Sequence, residues 1–180
     1  MNKTKRGFQV AKGFEDNGIN LPIRATKSAA GYDFEASEDI VIPSIAKEVL
    51  SIIKKGDLLK PKALIERTKE FKPKPTLVPT GVKSYMGEDE YLQLCNRSSN
   101  PMKNFLLMTN GVGVIDSDYY ENESNDGHIM FQFINFGFKS KTIKKGERVG
   151  QGIFLPFLKS DNDSENESSE RSGGFGSSGK

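Results

Sequence analysis

An all-β sandwich or barrel is predicted by three features of this 180-residue chain. Its apolar and β-branched runs are short, Gly, Asp, Asn and Lys turns separate them, and most have no helix-period segment between them. A parallel βαβ sheet needs such crossover helices, so an antiparallel arrangement is expected. YDFEASEDIVI (32–42) alternates and then runs apolar. TLVPTGVKSYM (76–86) and EYLQLCNRS (90–98) follow, with a turn at Gly87-Glu88-Asp89. FLLMTNGVGVID (105–116) contains Gly111 and Gly113, which permit a tight hairpin. HIMFQFINFGF (128–138) is rich in aromatic and branched residues, and a KKGE turn (144–147) leads into RVGQGIFLPFL (148–158).

One segment breaks the pattern. Ile45, Val49, Ile52 and Ile53 recur at helical spacing, with Ser44 placed to cap the start and Gly56 the end. A second short helix is expected from Pro61 to about Phe71. Between Lys47 and Lys74 nine Lys and Arg stand against four Asp and Glu. A solvated helical insertion over about 44–75 is the first reading, and a docking face for a regulatory protein the second. Residues 159–170, KSDNDSENESSE, hold no large apolar group and predict a flexible acidic linker. The chain thus divides into a body (1–158), that linker, and a tail (171–180).

Composition narrows the chemistry. Apolar residues make up 35% and charged ones 28%, which points to solvated segments or to apolar surface completed by partner subunits. A net charge of +2 gives no overall field for nucleic acid or membrane. The single cysteine, Cys95, excludes an intrachain disulfide and suits a reducing compartment. No apolar run reaches a membrane span, and MNKTKRGF lacks the apolar core of a signal peptide. A soluble, cytoplasmic protein is expected. One histidine, His128, and one cysteine leave little for a metal centre of those ligands or a Ser/His/Asp triad. His128 opens an apolar alternation and reads as a strand-edge residue. Catalysis therefore falls to carboxylates, with a metal ion held by oxygen.

Four internal stretches and the tail carry candidate chemistry. In AAGYDFEAS (29–37), alternation puts Asp33 and Glu35 on one strand face and Phe34 and Ala36 on the other. By itself this reads as the wet side of a strand. CNRSSNP (95–101) offers an Arg fork and two hydroxyls for phosphate, or a polar turn. TNGVGVIDSDYY (109–120) ends an apolar hairpin in Asp116, suited to act as a general base for water, with Tyr119 suited to lie beneath a sugar or base. GERVGQG (146–152) reads alone as surface decoration. The tail GFGSSGK imitates a phosphate-binding loop, but it lacks the strand, the following hydroxyl and the helix that motif requires.

In this order the stretches AGYDF, NRSS, NGVGVIDSDY, ERVGQ and RSGGFGSSG resemble the five motifs of the homotrimeric dUTPase family, from about residue 22 to 179 with the 44–75 insertion left out. The resemblance implies a distorted jelly-roll β-barrel that assembles as a trimer with intersubunit sites, hydrolysing dUTP to dUMP and pyrophosphate. By the same resemblance Asp116 activates the attacking water, while Asn110 and the 110–115 backbone, with Gly113 and Ile115, read uracil. Tyr119 packs under the deoxyribose, and Phe175 of the mobile arm stacks over the base. Arg97, Ser98, Ser99, Gln151, Arg171, Gly176, Ser177 and Ser178 hold the phosphates. Asp33 touches waters on a Mg²⁺ that rides mainly on the triphosphate. After Tyr119 the family turns at once through a glycine, whereas YENESNDG intervenes here, so the loop at 120–127 is expected to differ in shape. A related dCTP deaminase and a nucleotide-sensing or protein-binding module are the alternatives.

Overall fold

The computed structural model describes residues 5–53 and 71–161 together with Lys60, Lys62, Ile65, Glu66 and Lys69. Twelve strands appear among these residues. They are β1 (Gly7–Val10), β2 (Ile23–Arg24), β3 (Tyr32–Glu35), β4 (Ile40–Ile42), β5 (Thr76–Pro79), β6 (Val82–Tyr85), β7 (Glu90–Asn96), β8 (Leu106–Met108), β9 (Gly113–Asp116), β10 (Met130–Asn135), β11 (Lys141–Ile143) and β12 (Arg148–Pro156). Every ladder between them is antiparallel. They form a five-stranded sheet in the order β2-β3-β12-β7-β9, a three-stranded sheet β5-β10-β8, and the pairs β1-β6 and β4-β11. The all-β expectation stands, and six predicted runs contain nine of the strands. The short β1, β2 and β11 were not predicted.

The core lies between the sheets. Phe34, Leu92 and Leu94 from the five-stranded sheet meet Val78, Leu106, Phe131 and Phe133 from the three-stranded one, all essentially without exposure. Phe8 seals one end, its ring 5.3 Å from Phe34, Tyr32 and Phe154 alike. Glycines let the strands approach this core. A Cβ on Gly152 would sit 2.7 Å from the Phe34 ring.

The predicted helix appears as α1 (Ile45–Ile52), capped by the Ser44 side chain accepting from Lys47 N at 3.1 Å. It ends at Ile53 rather than at Gly56, and none of its residues is fully buried. Ser44 also donates to the Gly137 carbonyl, so the helix start is tied to the end of β10. The second expected helix lies mostly outside the described residues, as do nearly all of the linker and the whole tail. Among the described residues no helix is long and apolar enough to cross a membrane.

One expectation needs correction. The stretch 105–116 turns tightly at Thr109–Val112, with Gly111 at φ +68°, but its two arms do not pair. β8 joins β10 and β9 joins β7, so the segment crosses from one sheet to the other. Pairing is decided by partners distant in sequence, which local alternation does not register.

Candidate active site

Three of the motif stretches meet around the start of β12. Gln151 stands opposite Asp33 on one side and opposite Cys95 on the other. Its amide donates to Asp33 Oδ1 at 3.0 Å, and Arg148 Nη1 donates to Asp33 Oδ2 at 2.9 Å. Arg97 reaches the same strand through the Arg148 carbonyl, at 3.0 Å. Asp33 is only 7% exposed. The reading of its strand face as wet, taken from that stretch alone, is therefore wrong, and so is the reading of GERVGQG as surface decoration. The carboxylate is buried because a guanidinium and an amide satisfy it.

A β-bulge makes this possible. Arg148 pairs with Glu35 and Gly150 with Phe34, so two steps along β12 match one step along β3. Residues three apart on a regular strand point to opposite faces. The extra residue restores parity, and Arg148 and Gln151 both reach Asp33. Arg148 is no candidate site residue in the sequence, because GERVGQG read alone carries no sign of the bulge.

The NRSS stretch is braced from behind by asparagines. Asn100, 3% exposed, donates to Asn96 Oδ1 and to the Val149 carbonyl, each at 2.8 Å. Asn104 donates in turn to Asn100 Oδ1. These bonds fix Arg97, half-buried Ser99 and exposed Ser98 relative to β12. The sequence presented Asn100 only as half of a polar Asn-Pro turn. A cleft of about 470 Å³ opens beside the cluster, lined by Asn20, Ile23, Asp33, Glu35 and Arg148 among others. Among the described residues no three acidic, histidine or cysteine side chains converge as a metal cage.

The NGVGVIDSDY stretch lies elsewhere in the protomer. β9 is the edge of its sheet, so one row of its backbone groups has no strand partner among the described residues. Exposed Asn110 lies in the turn before it, and buried Gly113 packs on Leu94. Half-buried Ile115 joins the rim of the core. Asp116, also half-buried, pairs with Tyr91 at the far end of β7 and directly precedes a 3₁₀ turn, Ser117–Tyr119. Asp33 and Asp116 lie in rows four residues apart along β7 and on strands three apart across the sheet. At about 3.3 Å per residue and 4.8 Å per strand, the separation is on the order of 20 Å. One protomer does not bring Asp116 to Asp33.

Tyr119 is 5% exposed, and its hydroxyl donates to the His128 carbonyl at 3.2 Å. His128 is buried two residues before β10, packs 4.5 Å from the Phe14 ring, and accepts the Gly81 N–H on Nε2 at 2.9 Å. Burial lowers its pKa to about 4, so it is a neutral structural acceptor near pH 7. Arg171, Phe175, Gly176, Ser177 and Ser178 lie outside the described residues.

Comparison with known proteins identifies the family. Residues 62–179 match the dUTPase family model. The deoxyuridine 5'-triphosphate nucleotidohydrolase of Lactococcus lactis is 43% identical over 174 residues, 97% of each chain. That of Photorhabdus laumondii is 36% identical over 66% of this chain and 78% of its own. The crystal structure of dUTPase from Streptococcus mutans superposes with a TM-score of 0.68 at 39% identity, covering 86% of this chain and 98% of that one.

Proposed function

The chain belongs to the dUTPase family, and on that footing we propose how it hydrolyses dUTP to dUMP and pyrophosphate. The joining of three motif stretches at Asp33 carries the assignment. Arg97, Arg148, Gln151 and the Ser98–Ser99 hydroxyls form a donor-rich cluster suited to a triphosphate, and Arg171, Gly176, Ser177 and Ser178 of the tail complete it. Asp116 of a neighbouring subunit takes the proton of the attacking water as oxygen bonds to the α-phosphorus and pyrophosphate leaves. The open edge of β9 with Asn110 reads uracil through alternating N–H and C=O groups, and Phe175 covers the base. Cytosine in such a site leaves buried polar groups unpaired, a loss of about 10⁴-fold or more where polar readout is tight. Tyr119 lies beneath the deoxyribose.

Asp33 accepts one side-chain hydrogen bond on each oxygen, which leaves lone pairs for water. That donor set fits a Mg²⁺ held mainly by the triphosphate and touched through its waters. The ion would supply charge neutralisation while the α–β bond breaks. The sites lie between subunits of a trimer, the acidic linker lets each arm reach its site, and the cytoplasm suits the substrate. Purified protein with Mg²⁺ is expected to release pyrophosphate from dUTP and little from dTTP, dCTP or UTP; no release from dUTP would overturn the assignment. Asp116→Asn should still bind a non-hydrolysable dUTP analogue while turnover drops by 10²-fold or more, a range typical of lost general-base catalysis.

A further inference from the structure

The polar segment that follows Tyr119 folds into a compact bracket around that residue. Asn125 Nδ2 donates to the Tyr119 hydroxyl at 2.7 Å, from a different partner than the His128 carbonyl to which that hydroxyl donates. Asn125 is itself held, because its Oδ1 accepts from Asn122 Nδ2 at 2.9 Å and from Gly127 N at 3.2 Å. Asn122 donates to the Tyr119 carbonyl at 2.7 Å and accepts the amides of Ser124 and Asn125. The backbone closes where Gly127, at φ +77°, returns to Tyr119. A Cβ there would stand 2.7 Å from the Tyr119 carbonyl oxygen. Lys83 of β6 staples the bracket from outside through Glu121 at 3.0 Å and Asp126 at 2.9 Å, and the Lys12 amide adds a bond to Asp126 at 2.7 Å.

We propose that Asn125 is a positioning residue for sugar discrimination, holding the Tyr119 ring so that it excludes a 2′-hydroxyl. This rests on the reading that Tyr119 lies beneath the deoxyribose. Rejecting one extra hydroxyl by shape alone is weak, about 10²-fold. A ring free to slide by a fraction of an ångström loses much of even that. A ring pinned at its hydroxyl by a donor and an acceptor cannot slide without breaking a bond. Because the hydroxyl is the far end of the side chain, this pin acts where the ring has most freedom. The segment 120–127 is therefore more than a surface insertion, since its side chains hold both the hydroxyl and the carbonyl of Tyr119.

The test compares kcat/KM for dUTP and for UTP in wild type, Asn125→Ala, Tyr119→Phe, their double variant and Tyr119→Ala, each checked for its trimer by gel filtration. Asn125→Ala should lower the dUTP/UTP ratio by about tenfold or more, out of a total of about 10²-fold for shape exclusion, with most of the dUTP activity kept. Tyr119→Phe removes the pinned hydroxyl with little change of shape and should lower the ratio similarly. The double variant should be no worse than either, since both remove the same bond. If Tyr119→Ala collapses the ratio while Asn125→Ala and Tyr119→Phe leave it within about twofold, well inside the span that shape exclusion provides, the pinning role is wrong and the sugar reading stands. If Tyr119→Ala also leaves the ratio unchanged, Tyr119 is not beneath the sugar and both ideas fall.

Discussion

His128 shows how a residue with catalytic chemistry is given a structural task. Burial strips its charged form of solvation and lowers its pKa to about 4. Its Nε2 then accepts the Gly81 N–H, at a glycine with φ +70°. In the unfolded chain the imidazole titrates near its ordinary value of 6.5. Between those two values the unfolded state binds more protons, so stability rises with pH across the window. The contribution is complete above about 6.5 and is lost as pH falls towards about 4. Melting temperature should therefore decline over this range. His128→Gln keeps a side-chain acceptor for Gly81 but cannot be protonated, so its decline should be shallower. Superimposable pH profiles of the two proteins would show that another group is responsible.

At the scale of elements, β12 sets the geometry, because it pairs with β3 and β7 and contributes Arg148 and Gln151. Its bulge depends on Gly150, where any Cβ would collide with the Phe131 ring. Gly150→Ala should destabilise the protein by about 1–3 kcal/mol, the usual cost of overpacking a core. It should also reduce dUTP turnover at temperatures where the protein stays folded, because the parity that brings Arg148 and Gln151 to Asp33 is disturbed. A urea midpoint within error of wild type would show that Phe131 yields at no cost. This strand also marks what the sequence reveals. Alternation in AGYDF correctly divided Phe34 from Asp33, and Ser44 with the spacing of Ile45, Val49 and Ile52 located α1. Both signals are local. The bulge in β12, the assignment of β8 and β9 to different sheets, and the asparagine braces depend on partners far along the chain. Strands as short as β2 carry no period to read. The motif order was legible throughout, since it requires only residue identity.

At the scale of the molecule, the roughly 20 Å between Asp116 and Asp33 is the controlling fact. Water attack at one phosphorus requires its base and its phosphate ligands within a few ångströms. The outer face of the five-stranded sheet suggests how they meet. Ile23 is 71% exposed and Val114 53%, with Ile153, Leu155 and Tyr91 half-buried beside them, and Asp116 lies at the margin of this apolar surface. Covering such a face with further copies of the chain buries apolar area and can place Asp116 of one subunit against the Asp33 cluster of the next. The family assembles as trimers, so the arrangement can be tested by complementation. Asp116→Asn and Asp33→Asn homotrimers should each be nearly inactive. When the two chains are co-expressed with different tags and mixed trimers are isolated through both, each cyclic trimer contains one interface that joins an intact Asp33 cluster to an intact Asp116. Activity should then return to about one site in three, as the symmetry of a closed ring dictates. If each site were built within one chain, no mixture would recover anything, and mixed trimers as inactive as their parents would rule out the shared site.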